Sequence, residues 1–276
     1  MTNAVQLNGV ILRDFDPRDL AWYQQRKAYE ESVSSLYFLI YQSGIRNFCD
    51  VGANYGLIGI LAKQHGLRVL CVEADPGLIA KIEANFAGND LHCSALINAI
   101  AGASRITDSI FSLNPSSSLD NRVCMPGWDQ VDVPTVRLAD LMAEHGFDED
   151  GVFIKIDTQG YEAQVIEGLD PLLDELRHWY IKMEFAPAWL ESQGTAPLQL
   201  LQSLLTRFEV VEFPERIVYG TPSLAALFSY PLRHDQAAEF LDYVVSLNRN
   251  RRGWVDLLVR PALQVPTQVG RSADHQ

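Results

Sequence analysis

The spacing of hydrophobic and polar residues along this chain of 276 residues predicts its helices and strands. Between residues 17 and 43 the apolar positions recur at helical spacing around a polar face, and Gly44 follows where a glycine commonly ends a helix. Beyond Gly44, short apolar runs typical of buried strands alternate with helical segments. The runs predicted as strands are residues 47–51, 67–72, 91–97, 152–156, 179–185, 208–213 and 254–259.

Short buried strands separated by helices indicate an α/β fold, with a parallel sheet and helices on both faces. The chain shows no internal repeat and no low-complexity linker, so we expect one main domain at residues 45–260. A helical extension at residues 1–44 precedes it, and a polar, flexible tail at 261–276 follows it. The stretches richest in turn-forming and aromatic residues, which we expect to build a substrate lid, are residues 105–140, 186–200 and 214–250.

Net charge, cysteine spacing and the absence of long apolar runs restrict the kinds of protein that this sequence can encode. With 22 Lys and Arg against 35 Asp and Glu, the formal charge is −13, which argues against a nucleic-acid phosphate backbone as the main partner. The four cysteines form no C-x-x-C pair, so a disulfide scaffold or zinc site is not expected. The N-terminus lacks the pattern of a signal peptide and no apolar run is long enough to span a membrane, so we expect a cytoplasmic protein.

The first predicted strand runs into a glycine turn that opens a helix. Gly52 and Gly56 let the backbone pass close to a ligand, and Asn54 is a residue type that tolerates positive φ. Free N–H groups at the start of a helix favour a carboxylate or a phosphate. The spacing departs from the dinucleotide pattern G-x-G-x-x-G, because positions 54 and 57 are Asn and Leu, which disfavours a nucleotide redox enzyme.

An acidic residue, Glu73, ends the second predicted strand about 20 residues after the glycine turn. A carboxylate at this place can accept hydrogen bonds from both hydroxyls of a ribose. The alternative is a tight strand-to-helix turn with a solvated acid. Together, the glycine turn and the acid predict a nucleoside-binding site.

Three motifs in order resemble the FkbM family of S-adenosylmethionine-dependent methyltransferases. They are Asp-Val-Gly-Ala-Asn-Tyr-Gly at 50–56, Val-Glu-Ala-Asp-Pro at 72–76 and Ile-Lys-Ile-Asp-Thr-Gln-Gly-Tyr-Glu at 154–162, and residues 136–141 also resemble that family. The resemblance covers residues 45–185. Thr158-Gln159 depart from the family pattern, which commonly has a small or apolar residue followed by Glu.

The resemblance implies a Rossmann-like methyltransferase fold, with a seven-stranded, mostly parallel sheet whose last strand is antiparallel. It implies S-adenosyl-L-methionine as the cofactor, with the glycine turn around the methionine part, Glu73 on the ribose, Ala74 near the adenine and residues 98–100 closing the adenine side. The residues predicted to bind the cofactor are Asp50, Gly52, Ala53, Asn54, Gly56, Glu73, Ala74 and Asn98.

Charged residues occupy two strands that should be buried. Lys155 and Asp157 are two positions apart and share a face, and so do Lys182 and Glu184. If the strands are neighbours, four charges of alternating sign line the carboxyl rim of the sheet, and each lysine needs a carboxylate close by. In one hypothesis Asp157 or Glu184 is catalytic and accepts a proton from the attacking hydroxyl. The alternatives are a structural ion-pair network and, ranked lower, a divalent-metal ligand at Asp157.

The sequence and the resemblance together predict an O-methyltransferase acting on a hydroxyl of a small molecule. The resemblance implies a sugar, a sugar nucleotide or a glycosylated or polyketide natural product as the acceptor. The alternatives are a non-catalytic nucleoside-binding protein on the same fold and, less favoured, an NAD-type oxidoreductase. We expect no nucleic-acid or membrane partner and no resident metal, although a divalent metal and an oligomer are both possible.

Overall fold

The computed structural model describes residues 3–147, 149, 151–214, 221–248 and 250–262. In chain order its strands are β1 (Ala4–Leu7), β2 (Val10–Arg13), β3 (Asn47–Val51), β4 (Arg68–Glu73), β5 (Ala95–Asn98), β6 (Ile100–Gly102), β7 (Ile106–Leu113), β8 (Arg122–Val123), β9 (Asp129–Arg137), β10 (Val152–Ile156), β11 (Trp179–Phe185), β12 (Phe208–Glu212) and β13 (Val255–Pro261). Its helices are α1 (Pro17–Val33), α2 (Ser35–Gln42), α3 (Leu57–Gln64), α4 (Pro76–Ala87), α5 (Leu138–Glu144), α6 (Glu162–Glu175), α7 (Pro187–Ser192), α8 (Pro197–Arg207) and α9 (Ala237–Ser246).

The central sheet has seven strands among the described residues, in the order β12-β13-β11-β10-β3-β4-β5. β13 runs antiparallel to both of its neighbours, and the strands from β11 to β5 are parallel to one another. The order reverses next to β3, so the crevice at the carboxyl ends of the strands lies beside the glycine turn. The expected Rossmann-like sheet with an antiparallel last strand is confirmed.

Two apolar layers hold helices against the sheet. On one face Phe48, Phe153 and Tyr180 form a row of stacked rings, with centroids 5.5 and 6.5 Å apart, and pack in one core with α2, α3 and the N-terminal segment. On the other face the alternate residues of the same strands pack against α5, α6, α8 and α9. Because side chains on a strand point alternately to the two faces, strands covered on both sides must be apolar throughout.

The N-terminal extension is more than a helix. Residues 4–13 form a β-hairpin, which we did not predict, although Asn8-Gly9 is a typical two-residue hairpin turn with positive φ at both positions. The single helix predicted over residues 17–43 is two helices, α1 and α2, that meet at Ser34. Asp16 caps the first by accepting a hydrogen bond from the N–H of Arg18.

A second sheet follows β5 in the chain and contacts β4 and α6. β6, β9, β7 and β8 form it in that order, and all of them except β6 lie within residues 105–140, which we expected to be a turn-rich lid. Long-range strand pairing between β7 and β9 builds this sheet, and local turn residues gave no sign of it. The other two lid candidates contain α7, α8 and α9, and residues 215–220 and 249 of them lie outside the described residues.

The predicted tail is described only at its start. Pro261 is the last residue of β13, and residues 263–276 lie outside the described residues. Within the described part of the chain, no helix has both the length and the apolar character needed to cross a membrane.

Candidate active site

One cavity of about 440 Å³ lies at the carboxyl ends of β3, β4, β10 and β11. It is roofed by α1 and by residues 114–121, which we call the serine turn. We call its two halves the glycine-turn end and the carboxylate end. Lining residues of the first include Gly52, Ala53, Asn54, Glu73, Ala74, Ala99, Ile100 and Ala101, and those of the second include Lys155, Asp157, Gln159, Lys182, Glu184, Trp189, Trp254 and Asp256.

The glycine turn brings β3 against the end of β10. Gly52 has φ +75°, and a Cβ added to it would lie 1.9 Å from the backbone oxygen of Asp157. Asn54 has φ 50°, as its residue type allows. The turn can therefore close only with glycine at position 52, and the closure places Asn54 on the cavity wall beside Glu73.

Glu73 is held by backbone donors on both sides. Its Oε2 accepts the N–H of Asn54 at 2.7 Å and its Oε1 accepts the N–H of Asp75 at 2.8 Å. The residue is 6% exposed, and burial raises the pKa of its carboxyl to about 7 although the two N–H groups act to lower it. Each oxygen keeps a further lone pair, so the carboxylate can accept two more hydrogen bonds from the cavity.

Three of the residues predicted to bind the cofactor do not line the cavity. Asp50 is fully buried and accepts the N–H of Gly59 at 3.0 Å. Asn98 donates its amide to the backbone oxygens of Glu73 and Ala74, at 2.9 and 3.0 Å. Gly56, with φ 83°, begins α3. These residues support the cavity wall from behind, and residues next to them in the chain line the cavity.

The charged residues of the rim pair across strands. The two strands are neighbours and Lys155 lies beside Lys182 in register, so the signs alternate along each strand but not across the pair. Each lysine has a carboxylate on the neighbouring strand that lies away from the other lysine: Lys155 Nζ lies 3.2 Å from Asp50 Oδ1 on β3, and Lys182 Nζ lies 2.5 Å from Asp256 Oδ2 on β13. The expectation that each lysine needs a nearby carboxylate is confirmed.

Lys155 ties the two ends of the cavity together. Its Nζ donates to the backbone oxygen of Gly52 at 2.6 Å and lies 3.8 Å from Asp157 Oδ2. Burial acts to lower the pKa of Lys155, but the carboxylates of Asp50 and Asp157 outweigh it and the pKa is raised. The ammonium is therefore kept charged at the junction of β3 and β10.

Gln159 links the two candidate catalytic acids. Its Nε2 donates to Asp157 Oδ1 at 2.9 Å and lies 3.4 Å from Glu184 Oε2, and its backbone has φ 56°. The amide therefore stands between two carboxylates where the family pattern has a third acid. The sequence marked position 159 as a departure but could not show what the glutamine contacts.

Glu184 is the more buried of the two acids. It is 8% exposed, and burial, followed by the charge of Asp157, raises its pKa well above the usual value. Asp157 is more open, with 42% of its side chain exposed. A buried carboxyl with a raised pKa in a cavity is a candidate for proton transfer.

Glu162 shapes the turn that carries Asp157 and Gln159. Its fully buried Oε1 accepts the backbone N–H and the hydroxyl of Thr158, at 2.9 and 3.0 Å, and its Oε2 accepts the N–H of Gly160 at 3.0 Å. Glu162 ends the motif at 154–162. The sequence places it at the start of a helix and does not show that its carboxylate accepts hydrogen bonds from the preceding turn.

Sequence reasoning also missed the roof of the site. Asp19, Tyr23 and the hydroxyls of Ser117 and Ser118 meet above the glycine turn. Ser116–Ser118 lie within the lid candidate at residues 105–140, whose turn-forming residues were the one signal for this region. Of the tryptophans in the lid candidates, Trp189 lines the cavity and Trp128 does not. No cluster of metal-ligating side chains is present among the described residues.

Comparison with known proteins identifies the family. The methyltransferase FkbM domain matches residues 50–212, which is more than half of the chain. A comparison with curated proteins found no match.

Solved structures similar to this chain include three methyltransferases. One is a precorrin-6y C5,15-methyltransferase from Geobacter metallireducens, with 14% identity and a TM-score of 0.38 over 66% of this chain and 74% of that one. Another is the tRNA (uracil-54, C5)-methyltransferase of Pyrococcus abyssi in complex with S-adenosyl-L-homocysteine, with 10% identity and a TM-score of 0.42 over 94% of this chain and 44% of that one. The third, an O-methyltransferase from Bacillus cereus in complex with the same compound, has 13% identity and a TM-score of 0.34 over 82% and 78%.

The motifs that suggested the family at the start thus lie along one cavity: the glycine turn and Glu73 at one end, the turn after β10 at the other. With the family domain matched over most of this region, the chain belongs to the FkbM family of S-adenosylmethionine-dependent methyltransferases.

Proposed function

We propose that this protein transfers the methyl group of S-adenosyl-L-methionine to a hydroxyl of a small molecule. The acceptor that we propose is a sugar, a sugar nucleotide or a glycosylated or polyketide natural product. The observation that carries the proposal is that Glu73, a carboxylate suited to a ribose, and the buried carboxyl of Glu184 line the same cavity.

The residues of the glycine-turn end fit the cofactor. Glu73 has lone pairs free for two ribose hydroxyls, and Ala74 and Ile100 supply an apolar surface for a flat base. A cavity of about 440 Å³ lies within the range of roughly 300–1,000 Å³ of ligand pockets. Gly52, Ala53 and Asn54 line the same wall beside Lys155 and Asp157, where the methionine part would extend toward the acceptor.

When bound, the cofactor would supply a methyl group on a positively charged sulfur, so that a hydroxyl oxygen can bond to the methyl carbon as the carbon–sulfur bond breaks. The chain's own task is to align the hydroxyl, to exclude water and to take its proton. We assign the proton to a carboxylate oxygen of Glu184, because this group lines the carboxylate end of the cavity and burial raises its pKa, which makes its ionised form a stronger proton acceptor.

Asp157 and Gln159 would position the acceptor beside Glu184. Asp157 is hydrogen-bonded by Gln159 and has Lys155 at 3.8 Å, so its carboxylate is oriented from two sides. Trp189 and Trp254 give the carboxylate end flat walls, against which a sugar ring or another ring can stack. Lys155 and Lys182 are already paired with carboxylates and serve to fix the wall.

The proposal is tested by an acceptor screen with purified protein and S-adenosyl-L-methionine. Sugars, sugar nucleotides and hydroxylated polyketides are supplied, and S-adenosyl-L-homocysteine and the mass of the product are measured. We expect release of S-adenosyl-L-homocysteine with a gain of one methyl group on an acceptor oxygen. Methylation only at nitrogen would contradict the O-methyltransferase assignment.

A thermal-shift experiment separates the other functions. S-adenosyl-L-homocysteine at about 100 times its dissociation constant should add about 2.7 kcal/mol to the free energy of unfolding. Stabilisation by NAD and not by S-adenosyl-L-homocysteine would overturn the cofactor assignment. Binding without transfer to any acceptor would favour the non-catalytic nucleoside-binding protein.

A further inference from the structure

We propose that Asp19, on the N-terminal helix α1, is a positioning residue of the cofactor site and acts on it through Ser118 and Asn54. The proposal rests on the proposed function only for the identity of the cofactor. It makes the N-terminal extension, which lies outside the matched family domain, part of the binding site.

Asp19 is a carboxylate with no exposed surface in the roof of the cavity. Three hydroxyl groups donate to it: Tyr55 at 2.9 Å, Ser117 at 2.5 Å and Ser118 at 2.7 Å. They come from the glycine turn and from the serine turn, so one side chain of α1 joins both segments. A buried carboxylate is expensive unless hydrogen bonds stabilise it, and the cost is repaid here only while all three segments stay together.

The carboxylate also sets the direction of a chain of hydrogen bonds. An ionised carboxylate can only accept, so Ser118 must give its single hydrogen to Asp19. Ser118 Oγ then accepts from Nδ2 of Asn54 at 3.2 Å, and Oδ1 of Asn54 accepts from the hydroxyl of Tyr23 at 3.2 Å. The amide of Asn54 is thus fixed in one orientation, and the N–H of the same residue holds Glu73 at 2.7 Å.

A second link attaches the serine turn to the other oxygen of Glu73. Asn121, at the end of the turn, donates to Asp75 Oδ2 at 2.9 Å, and the N–H of Asp75 donates to Glu73 Oε1 at 2.8 Å. The serine turn is therefore connected to both oxygens of the group that would hold the ribose. Loss of the anchor on α1 releases the first connection and leaves the second intact.

The same roof closes the cavity. Trp22 and Tyr23 of α1 line it together with Ser117 and Ser118. A bound nucleoside would lie beneath this roof, so its departure requires the contacts of Asp19 to open. Asp19 should therefore affect the dissociation of the cofactor more than its association.

The test is the substitution Asp19→Asn, which keeps the shape but gives the side chain a donor end. The matched control is Asp16→Asn, on the same helix with the same change of charge, because Asn caps a helix as well as Asp does. The dissociation constant and the dissociation rate of S-adenosyl-L-homocysteine are measured by calorimetry and by stopped-flow displacement. We expect Asp19→Asn to weaken binding about tenfold or more, mainly through faster dissociation, and Asp16→Asn to change it less than about twofold.

Ser118→Ala provides a second test that does not depend on how well Asp19→Asn folds. It removes the link between Asp19 and Asn54, and we expect it to weaken binding several-fold. The double variant should lose less than the product of the two single losses, because the two residues act in one chain. If both variants lower the melting temperature and leave the dissociation constant and rate unchanged, Asp19 is only structural and the proposal is overturned. If the wild-type protein itself fails to bind, the proposed cofactor is wrong instead.

Discussion

The two ends of the cavity are built in different ways. At the glycine-turn end, Glu73 is held by the N–H groups of Asn54 and Asp75, and Asn54 follows Gly52 in a turn that only glycine can make. At the carboxylate end, side chains from β3, β10, β11 and β13 stabilise one another across the sheet. The wall of the first end depends on backbone geometry, with Asp19 and the serine turn packed above it, and the second end depends on pairs of charges that are far apart in sequence.

The two ends are therefore suited to different tasks, one to binding the cofactor and the other to binding the acceptor. Backbone donors cannot be titrated or moved, which suits a site that must bind the same cofactor in every turnover. The other end is built from side chains, whose size and charge can match one particular acceptor. Substitutions at the two ends should therefore separate cofactor binding from turnover.

The largest expected effect is on turnover. Glu184→Gln removes the proposed base, so we expect the turnover number to fall by about 10²- to 10⁴-fold. Binding of S-adenosyl-L-homocysteine should stay within about twofold, because Glu73 is untouched. Turnover is measured with the acceptor found by the screen. The control variant is Asp256→Asn, which removes the charge of another acid at the same end of the cavity. An unchanged turnover number would assign Glu184 to the structural network.

The next effect is on stability. Lys155→Met leaves the carboxylate of Asp50 buried without its cation, and we expect a loss of about 3–5 kcal/mol in the free energy of unfolding. Lys182→Met should cost less, because the Lys182 and Asp256 side chains are 19% and 13% exposed. Urea denaturation measures both. A Lys155→Met protein as stable as wild type would show that the pair of Lys155 and Asp50 does not stabilise the carboxylate end.

A third effect concerns the cofactor alone. Glu73→Gln removes the acceptor charge for the ribose hydroxyls, and we expect S-adenosyl-L-homocysteine to bind about 100-fold more weakly. Glu83→Gln, at an exposed acid on α4, is the matched control and should have no effect. Calorimetry gives both dissociation constants. Equal affinities in the Glu73 variant and the control would show that the ribose lies elsewhere.

The smallest effect is a dependence on pH. Burial raises the pKa of Glu73 from 4.5 to about 7, so the folded protein holds a proton that the unfolded chain releases between these values. The contribution of Glu73 to stability is therefore present below pH 4.5 and is lost as the pH rises through 7.

Cofactor binding should have the opposite slope, because the ionised carboxylate is the better acceptor. We expect affinity for S-adenosyl-L-homocysteine to rise with pH, by at most about tenfold per unit, and to level off above pH 7. The slope should disappear in Glu73→Gln. Since Glu184 and Glu162 also have raised pKa values, the stability comparison is made as the difference between wild type and the Glu73 variant.

Sequence reasoning succeeded where the interactions are local. The strands β3, β10 and β11 match their predicted bounds, because runs apolar on both faces have no other place in a soluble fold. Gly52 and Glu73 were found because turn chemistry and the spacing of a strand-turn-helix unit constrain them. The hairpin at residues 4–13 had its Asn-Gly signal and could have been predicted.

It failed where distant segments meet. The partners of Lys155 and Lys182 lie 105 and 74 positions away, at Asp50 and Asp256, and no periodicity selects them. The sheet built by β6 to β9 depends on pairing between strands whose own sequences are partly exposed and turn-like. Asp19 lies in the first turn of α1, where acids are common, and its neighbours in the sequence give no sign of its contacts with the serine turn.

The sequence by itself determined where the strands of the central sheet lie along the chain, the glycine turn, the acid at the end of β4 and the family to which these belong. Each of these follows from the preferences of a few neighbouring residues, which are present in the chain before it folds. Only the tertiary structure decided that Asp19 covers the glycine turn, that Gln159 stands between Asp157 and Glu184, and that the lysines pair outward. These contacts form when the sheet closes, because burial makes an unpaired charge or polar group costly and so fixes its partner.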